Sequence, residues 1–223
     1  MVRKSHFDPQ RVREEIAIAA ARLIAEDGLD YSTAKRKAAR QITGEARLAG
    51  EWLPGNDQIE EEIREYQALF QSESQPLLLR RLREAALDWM QRLAPFNPYL
   101  TGAVLSGTAG VHSDVHLQMF HDNSKEIAIY LLNARIQYDV TETRHFAGRG
   151  DVETLSFLWR PASTPNQTEP GAEPVGIHLA LYTTDDLRGA VRANARGRQA
   201  RADARAVQAL LDASQPLAHP ASH

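Results

Sequence analysis

A chain of 223 residues with 43% hydrophobic residues, a formal net charge of −3 and no cysteine can bury a sizeable core, as one domain or as two small ones. The charge argues against a generic nucleic-acid binder while leaving room for a local basic face. The lack of cysteine excludes disulfides, thiolate metal sites and cysteine nucleophiles, and fits a reducing compartment. No run of about eighteen apolar residues occurs, and Met1 to Pro9 has no apolar segment of the signal-peptide kind, so the sequence predicts a cytoplasmic protein with no membrane segment.

Asp8-Pro9 starts a helix, with aspartate at the cap and proline at the first helical position, and Gly28 ends it. Val12, Ile16, Ala19, Ala20, Leu23 and Ile24 form its apolar stripe. Ser32 can cap a second helix through Ile42 that carries Lys35, Arg36, Lys37 and Arg40. The first helix resembles that of TetR-type repressors, which implies a DNA-binding regulator through the N-terminal helices. Gly44 to Asn56, with its glycines and Pro54, is too broken for the recognition helix such a protein needs.

Asn56 caps a helix from Gln58 to about Phe70, whose Glu60, Glu61, Glu62 and Glu65 suit its early turns and can pair with the basic face of the second helix. Pro76 begins a long helix to Leu93, with Leu79, Leu82, Ala86, Trp89 and Leu93 at core-facing spacing. Next come a small-residue turn at Thr101-Gly102-Ala103, a glycine-rich turn at Gly107 to Gly110, and a strand in which Val115, Leu117 and Met119 alternate with His116, Gln118 and Phe120. That period of two places Asp114 and His116 on one face.

Gly102, Gly107, Ser113 and Asp114 in this arrangement resemble the nucleotidyltransferase superfamily that includes DNA polymerase β and the small bacterial nucleotidyltransferases. The family pattern is Gly-Ser, a short helical turn, then Ser-Asp-x-Asp on a strand. Two positions depart from it: Ala103 stands at the family serine, and His116 at the second metal-binding aspartate. The resemblance implies a triphosphate held at Gly102, Ala103, Gly107 and Ser113, and Mg²⁺ or Mn²⁺ at Asp114, His116 and a third carboxylate. Glu153 is the best candidate for that third group, with Asp151 and Asp139 left open.

Further along, Asn123 and Glu126 make a capping box for a helix through Leu132. Ile136 to Phe146 and Val152 to Trp159 read as a strand pair around Ala147 to Gly150, Pro161 to Pro174 as a mobile loop, and Val175 to Tyr182 as a fifth strand. Leu187 to about Asp212 reads as one helical region. Residues 187–223 hold six arginines against two aspartates, so Arg188 and Arg192 are candidates for phosphate contact, and the segment for RNA.

His112, Asp114, His116 and His121 also suggest a transition-metal run, although strand geometry sets only Asp114 and His116 side by side. No Ser-His-Asp signature, Walker loop or spaced Rossmann glycines appear in the sequence. The expected protein is α+β: a helical N-terminal part (1–75), a nucleotidyltransferase-like mixed β-sheet domain with flanking helices (76–213), and a disordered tail (214–223). Its expected activity is transfer of a nucleoside monophosphate from a nucleoside triphosphate to an unknown acceptor. A silent relative of that fold, binding a nucleotide, RNA or protein partner, is the alternative.

Overall fold

Asp8 and Pro9 begin the first helix as the sequence predicts. In the computed structural model, which describes residues 8–44, 48–160, 173–190 and 200–214, the Asp8 carboxylate accepts from the Gln10 N–H at 3.1 Å. Gly28, at φ 67°, closes α1 (Pro9–Asp27). The cap of α2 (Tyr31–Thr43) is Asp30 and not Ser32, because the Asp30 carboxylate reaches the N–H groups of both Ser32 and Thr33. α3 (Asn56–Phe70) starts after Gly55, whose N–H donates to Gln58 Oε1 at 3.0 Å.

Inter-residue contacts divide the chain into two units: residues 1–78 with 107–112, and residues 79–106 with 113–223. In the first unit small side chains set the packing. Ala17, Ala20 and Ala21 of α1 are buried with Ala34 and Ala38 of α2 and with Ile59 and Ile63 of α3. The glycine-rich loop belongs to this unit. The Gln67 amide donates to the carbonyls of Thr108 (3.0 Å) and Ala109 (3.3 Å), and the Gln75 amide to those of Gly107 and Ala109 (both 3.1 Å). Among the charges, Arg64 bonds Glu60 and Glu61 of its own helix, and Lys37 of α2 pairs with Asp27 of α1.

The second unit is built on a five-stranded mixed sheet. Its elements follow α4 (Ser74–Arg92) in the order β1 (Pro98–Thr101), α5 (Gly102–Ser106), β2 (Val115–Phe120), α6 (Ser124–Asn133), β3 (Asp139–Arg144), β4 (Asp151–Trp159), β5 (Val175–Tyr182), α7 (Thr184–Ala190) and α8 (Ala204–Ala213). The spatial order is β1-β2-β5-β4-β3. β2 and β5 run parallel, and the other neighbours are antiparallel.

One face of this sheet is apolar: Leu100, Val115, Leu117, Met119, Leu155, Phe157, Ile177 and Leu179 are buried on it. Trp89 of α4 packs edge-on against Phe157, with ring centroids 4.7 Å apart. Burying side chains of this size contributes roughly 1.5–3 kcal/mol each. The opposite face carries the polar members of each strand. Towards the ends of β2 and β5 that face is covered too, since Phe120 stacks on Tyr182 and both are buried.

Two further expectations need correction. The single C-terminal helix is interrupted: Leu100 and Ala202 exchange backbone hydrogen bonds (2.8 and 3.0 Å), so the chain is extended along the edge of β1 before α8 begins. The strand expected from Ile136 starts only at Asp139, because residues 134–138 close α6. The mobile loop falls mostly, and the disordered tail almost wholly, outside the described residues.

Candidate functional site

The polar face of the sheet brings a row of side chains together through strand register. Thr101 pairs with His116, His116 with His178, His178 with Ser156, and Ser156 with Asp139. Cross-strand partners project to the same side. Asp114, just ahead of β2, belongs to this group. Its Oδ1 accepts from the Gly176 N–H at 3.1 Å and its Oδ2 from His178 Nε2 at 3.1 Å.

A carboxylate only accepts, so His178 carries its proton on Nε2 when neutral, and Nδ1 accepts the Ser156 hydroxyl at 2.8 Å. Ser156, His178 and Asp114 thus form a hydrogen-bonded series across β4, β5 and the approach to β2. Gly176 makes this possible: a Cβ there would lie 2.5 Å from the Asp114 carboxylate carbon.

The electrostatics follow from these contacts. The His178 hydrogen bond, helped by the Gly176 N–H, holds the Asp114 carboxyl below the usual carboxylate range against the opposing effect of burial. The His116 ring stacks on His178 with centroids 4.7 Å apart and planes 15° from parallel. Its outer side is open to solvent, yet the surrounding protein displaces enough water to push its pKa down, and the neighbouring His178 adds to this.

Asp114, Ser156 and His178 line a cavity of about 710 Å³ with Gly176, Arg135, Tyr138, Asp139 and Leu158.

The other sequence-derived candidates are distributed as follows. Gly102 adopts φ 74°, and a Cβ on it would come within 3.9 Å of the His116 ring, so the turn and His116 adjoin. Ala103 lies in the five-residue α5, whose terminal carbonyls at Val104 and Leu105 are bound by the buried Arg83 guanidinium. Ser113 is half-buried directly before Asp114. Gly107 lies in the loop assigned to the first unit.

Glu153 and Asp151 are not brought to Asp114. They project from the opposite side of β4, where Glu153 pairs with Glu142 and Asp151 with Arg144. Asp139 does share the site face, through its pairing with Ser156. Arg188 is exposed and 3.9 Å from Asp185, and Arg192 lies outside the described residues. Arg201 is engaged with Gln118 and lies over the Phe146 ring at 4.0 Å.

The histidine run also separates. His112 Nε2 bonds the Glu26 carbonyl at 3.1 Å within the first unit, and His121 pairs with Glu126 at 2.9 Å. The chain after α2 holds a 3-10 turn at Gly50–Trp52 ahead of α3.

Ser156, His178 and Gly176 escaped the sequence reading because β5 was not known to lie beside β2. The readable signal was Gly176 inside an apolar strand, a position that marks close approach of another group.

Among the described residues no group of three or more His, Asp or Glu is arranged to hold a metal ion. The donor chemistry agrees. Magnesium asks for hard oxygen ligands in near-octahedral geometry, whereas this row offers two imidazoles and two carboxylates on separate strands, Asp114 ahead of β2 with a hydrogen bond to each oxygen and Asp139 on β3. The residues present do not fit a two-magnesium centre. No helix among the described residues is long and apolar enough to cross a membrane. No protein-family model matches the chain, and no curated protein matches it.

Proposed function

We propose that the sheet domain is a nucleotidyltransferase-like module that binds a nucleotide over the Asp114–His178 row and does not perform metal-dependent nucleotidyl transfer. The observation that carries this reading is the commitment of Asp114: Gly176 N–H and His178 Nε2 occupy both of its oxygens. Those two hydrogen bonds fix the orientation of the half-exposed carboxylate within the row. The expected glycine turn beside His116 supports nucleotide as the ligand class, with Asp114 a positioning residue.

The test is thermal stability of the full chain with nucleoside mono- and triphosphates, each with Mg²⁺, with Mn²⁺ and with chelator, since a ligand of the native state raises the midpoint. The expected result is a shift that chelator leaves unchanged. A shift that requires the metal and vanishes in Asp114→Ala would restore the transfer reaction, with Mg²⁺ or Mn²⁺ as its cofactor.

A second reading has its own observation. Ser156, His178 and Asp114 stand as nucleophile, base and orienting carboxylate, each within hydrogen-bond reach of the next. A fluorophosphonate that labels Ser156, and fails on His178→Ala, would establish a nucleophilic serine. Intact protein after prolonged exposure would remove that reading.

A further inference from the structure

Arg135 occupies an unusual position for its residue type. α6 ends in a Schellman arrangement: the Arg135 N–H donates to the Leu132 carbonyl and the Ile136 N–H to the Leu131 carbonyl, both at 2.9 Å. The residue between them must then be left-handed, a position that glycine takes without strain. Here it is arginine, at φ 58°, where its Cβ is disfavoured and glycine would be free of that penalty.

The arginine makes no ion pair among the described residues, although twelve such pairs are formed elsewhere. Its side chain is exposed and lines the cavity that also holds Ser156, His178 and Asp139. Residues held in such backbone conformations cluster at ligand sites.

The rest of the cavity divides by chemistry. Asp139 is an exposed carboxylate beside the Ser156 hydroxyl, a pair suited to hydroxyl and amine donors. Leu158 is 76% exposed and, with the half-buried Tyr138, gives the cavity an apolar wall. An anion anchor, an acceptor pair and an apolar wall correspond to the phosphate, sugar and base of one nucleotide.

Charge restricts the phosphate count. Among the described residues that line the cavity Arg135 is the one cation, alongside Asp139 and Asp114, of which Asp114 is offset by its own hydrogen bonds. A chain of three phosphates would add repulsion that no further cation among the described lining residues relieves.

We infer that this cavity takes a nucleoside monophosphate, with Arg135 binding the phosphate, Asp139 and Ser156 the sugar hydroxyls, and Tyr138 and Leu158 the base. The inference rests on the nucleotide-binding reading above and narrows it. Arginine's planar fork suits a terminal phosphate, which it can hold through two parallel N–H···O bonds.

The experiment is calorimetric titration of the full chain, in chelator, with AMP, GMP, CMP, UMP, ATP, adenosine and inorganic phosphate. Wild-type protein is compared with Arg135→Gly and Arg135→Asn, both of which tolerate the left-handed backbone. At least one monophosphate is expected to bind tenfold or more tightly than ATP, adenosine or phosphate. Both variants should lose that affinity at least tenfold while melting no lower than wild type, with Arg135→Gly melting higher.

Monophosphate binding unchanged in both variants would overturn the role of Arg135 and leave nucleotide binding intact. Tighter binding of ATP would overturn the monophosphate preference alone. Phosphate binding as tightly as AMP would remove the nucleoside part. No binding by any of the probes would overturn both this inference and the nucleotide reading.

Discussion

The N–H of Gly176 reaches Asp114 Oδ1 at 3.1 Å, at a point where any side chain would collide with the carboxylate it serves. Gly176→Ala must therefore either displace Asp114 or bend β5. The expected cost is about 1–3 kcal/mol from overpacking, read as a lower denaturant midpoint with an unchanged slope. An alanine variant as stable as wild type would show that the carboxylate does not sit against this backbone.

Stability should rise with pH through the acid range. The folded-state pKa of Asp114 is depressed, so the unfolded chain takes up its proton first as pH falls. Its contribution is present above the usual carboxylate range and is lost as pH falls through the depressed folded value. His116 acts in the same direction, because burial lowers its folded pKa and its contribution declines as pH falls below the usual imidazole range. Urea midpoints measured from neutral to acid pH should fall in both windows. Asp114→Asn should flatten the lower one, and His116→Gln the upper.

A buried histidine elsewhere carries more of the stability than the exposed ones. His145 Nδ1 accepts the Ala147 N–H at 2.9 Å, its Nε2 lies 3.2 Å from Asp186, and its ring meets Tyr182 edge-on. Burial alone would raise the Asp186 pKa, but hydrogen bonds from Thr183 and then His145 outweigh it and keep that carboxylate ionised. His145→Ala is expected to cost about 1–3 kcal/mol by removing a buried ring and its two hydrogen bonds, with Asp186 left to Thr183 and Arg149. Replacing His112, whose one ring contact is a partly exposed carbonyl, should cost less, and thermal melts of the two variants would order them.

The proton on His178 is assigned by its neighbours. With Asp114 accepting at Nε2 and Ser156 donating to Nδ1, the neutral ring should be the Nε2–H tautomer. Nitrogen-15 spectra of the imidazole report this directly. Ser156→Ala should leave Nε2 protonated while Nδ1 loses its donor and shifts away from the hydrogen-bonded position. A neutral ring protonated at Nδ1 in wild type would contradict the series.

Local patterns in the sequence carried local conclusions. Alternation from Val115 to Phe120 was enough to place Asp114 and His116 on one face, and Asp8, Pro9 and Gly28 marked the ends of α1 by capping chemistry alone. What the sequence did not carry was strand adjacency. Glu153 was chosen on the premise that the third group of the site lies on β4, but β5 is the parallel neighbour of β2 and supplies His178 instead.

The same limit applies to the C-terminal segment. Its alanine and arginine residues have high helix propensity, and at Ala202 a pairing across the fold with Leu100 overrides that preference.

That pairing has a bearing on biosynthesis. Thr101 also donates from its hydroxyl to the Ala200 carbonyl, 99 residues along the chain. As the chain leaves the ribosome, β1 waits for nearly the whole second unit before its outer edge is covered. Until then it presents unpaired backbone groups to any nascent chain nearby. A ribosome that stalls or terminates before residue 200 would release a sheet whose β1 edge is bare, so completing this edge depends on synthesis of the segment around Ala200 and Ala202.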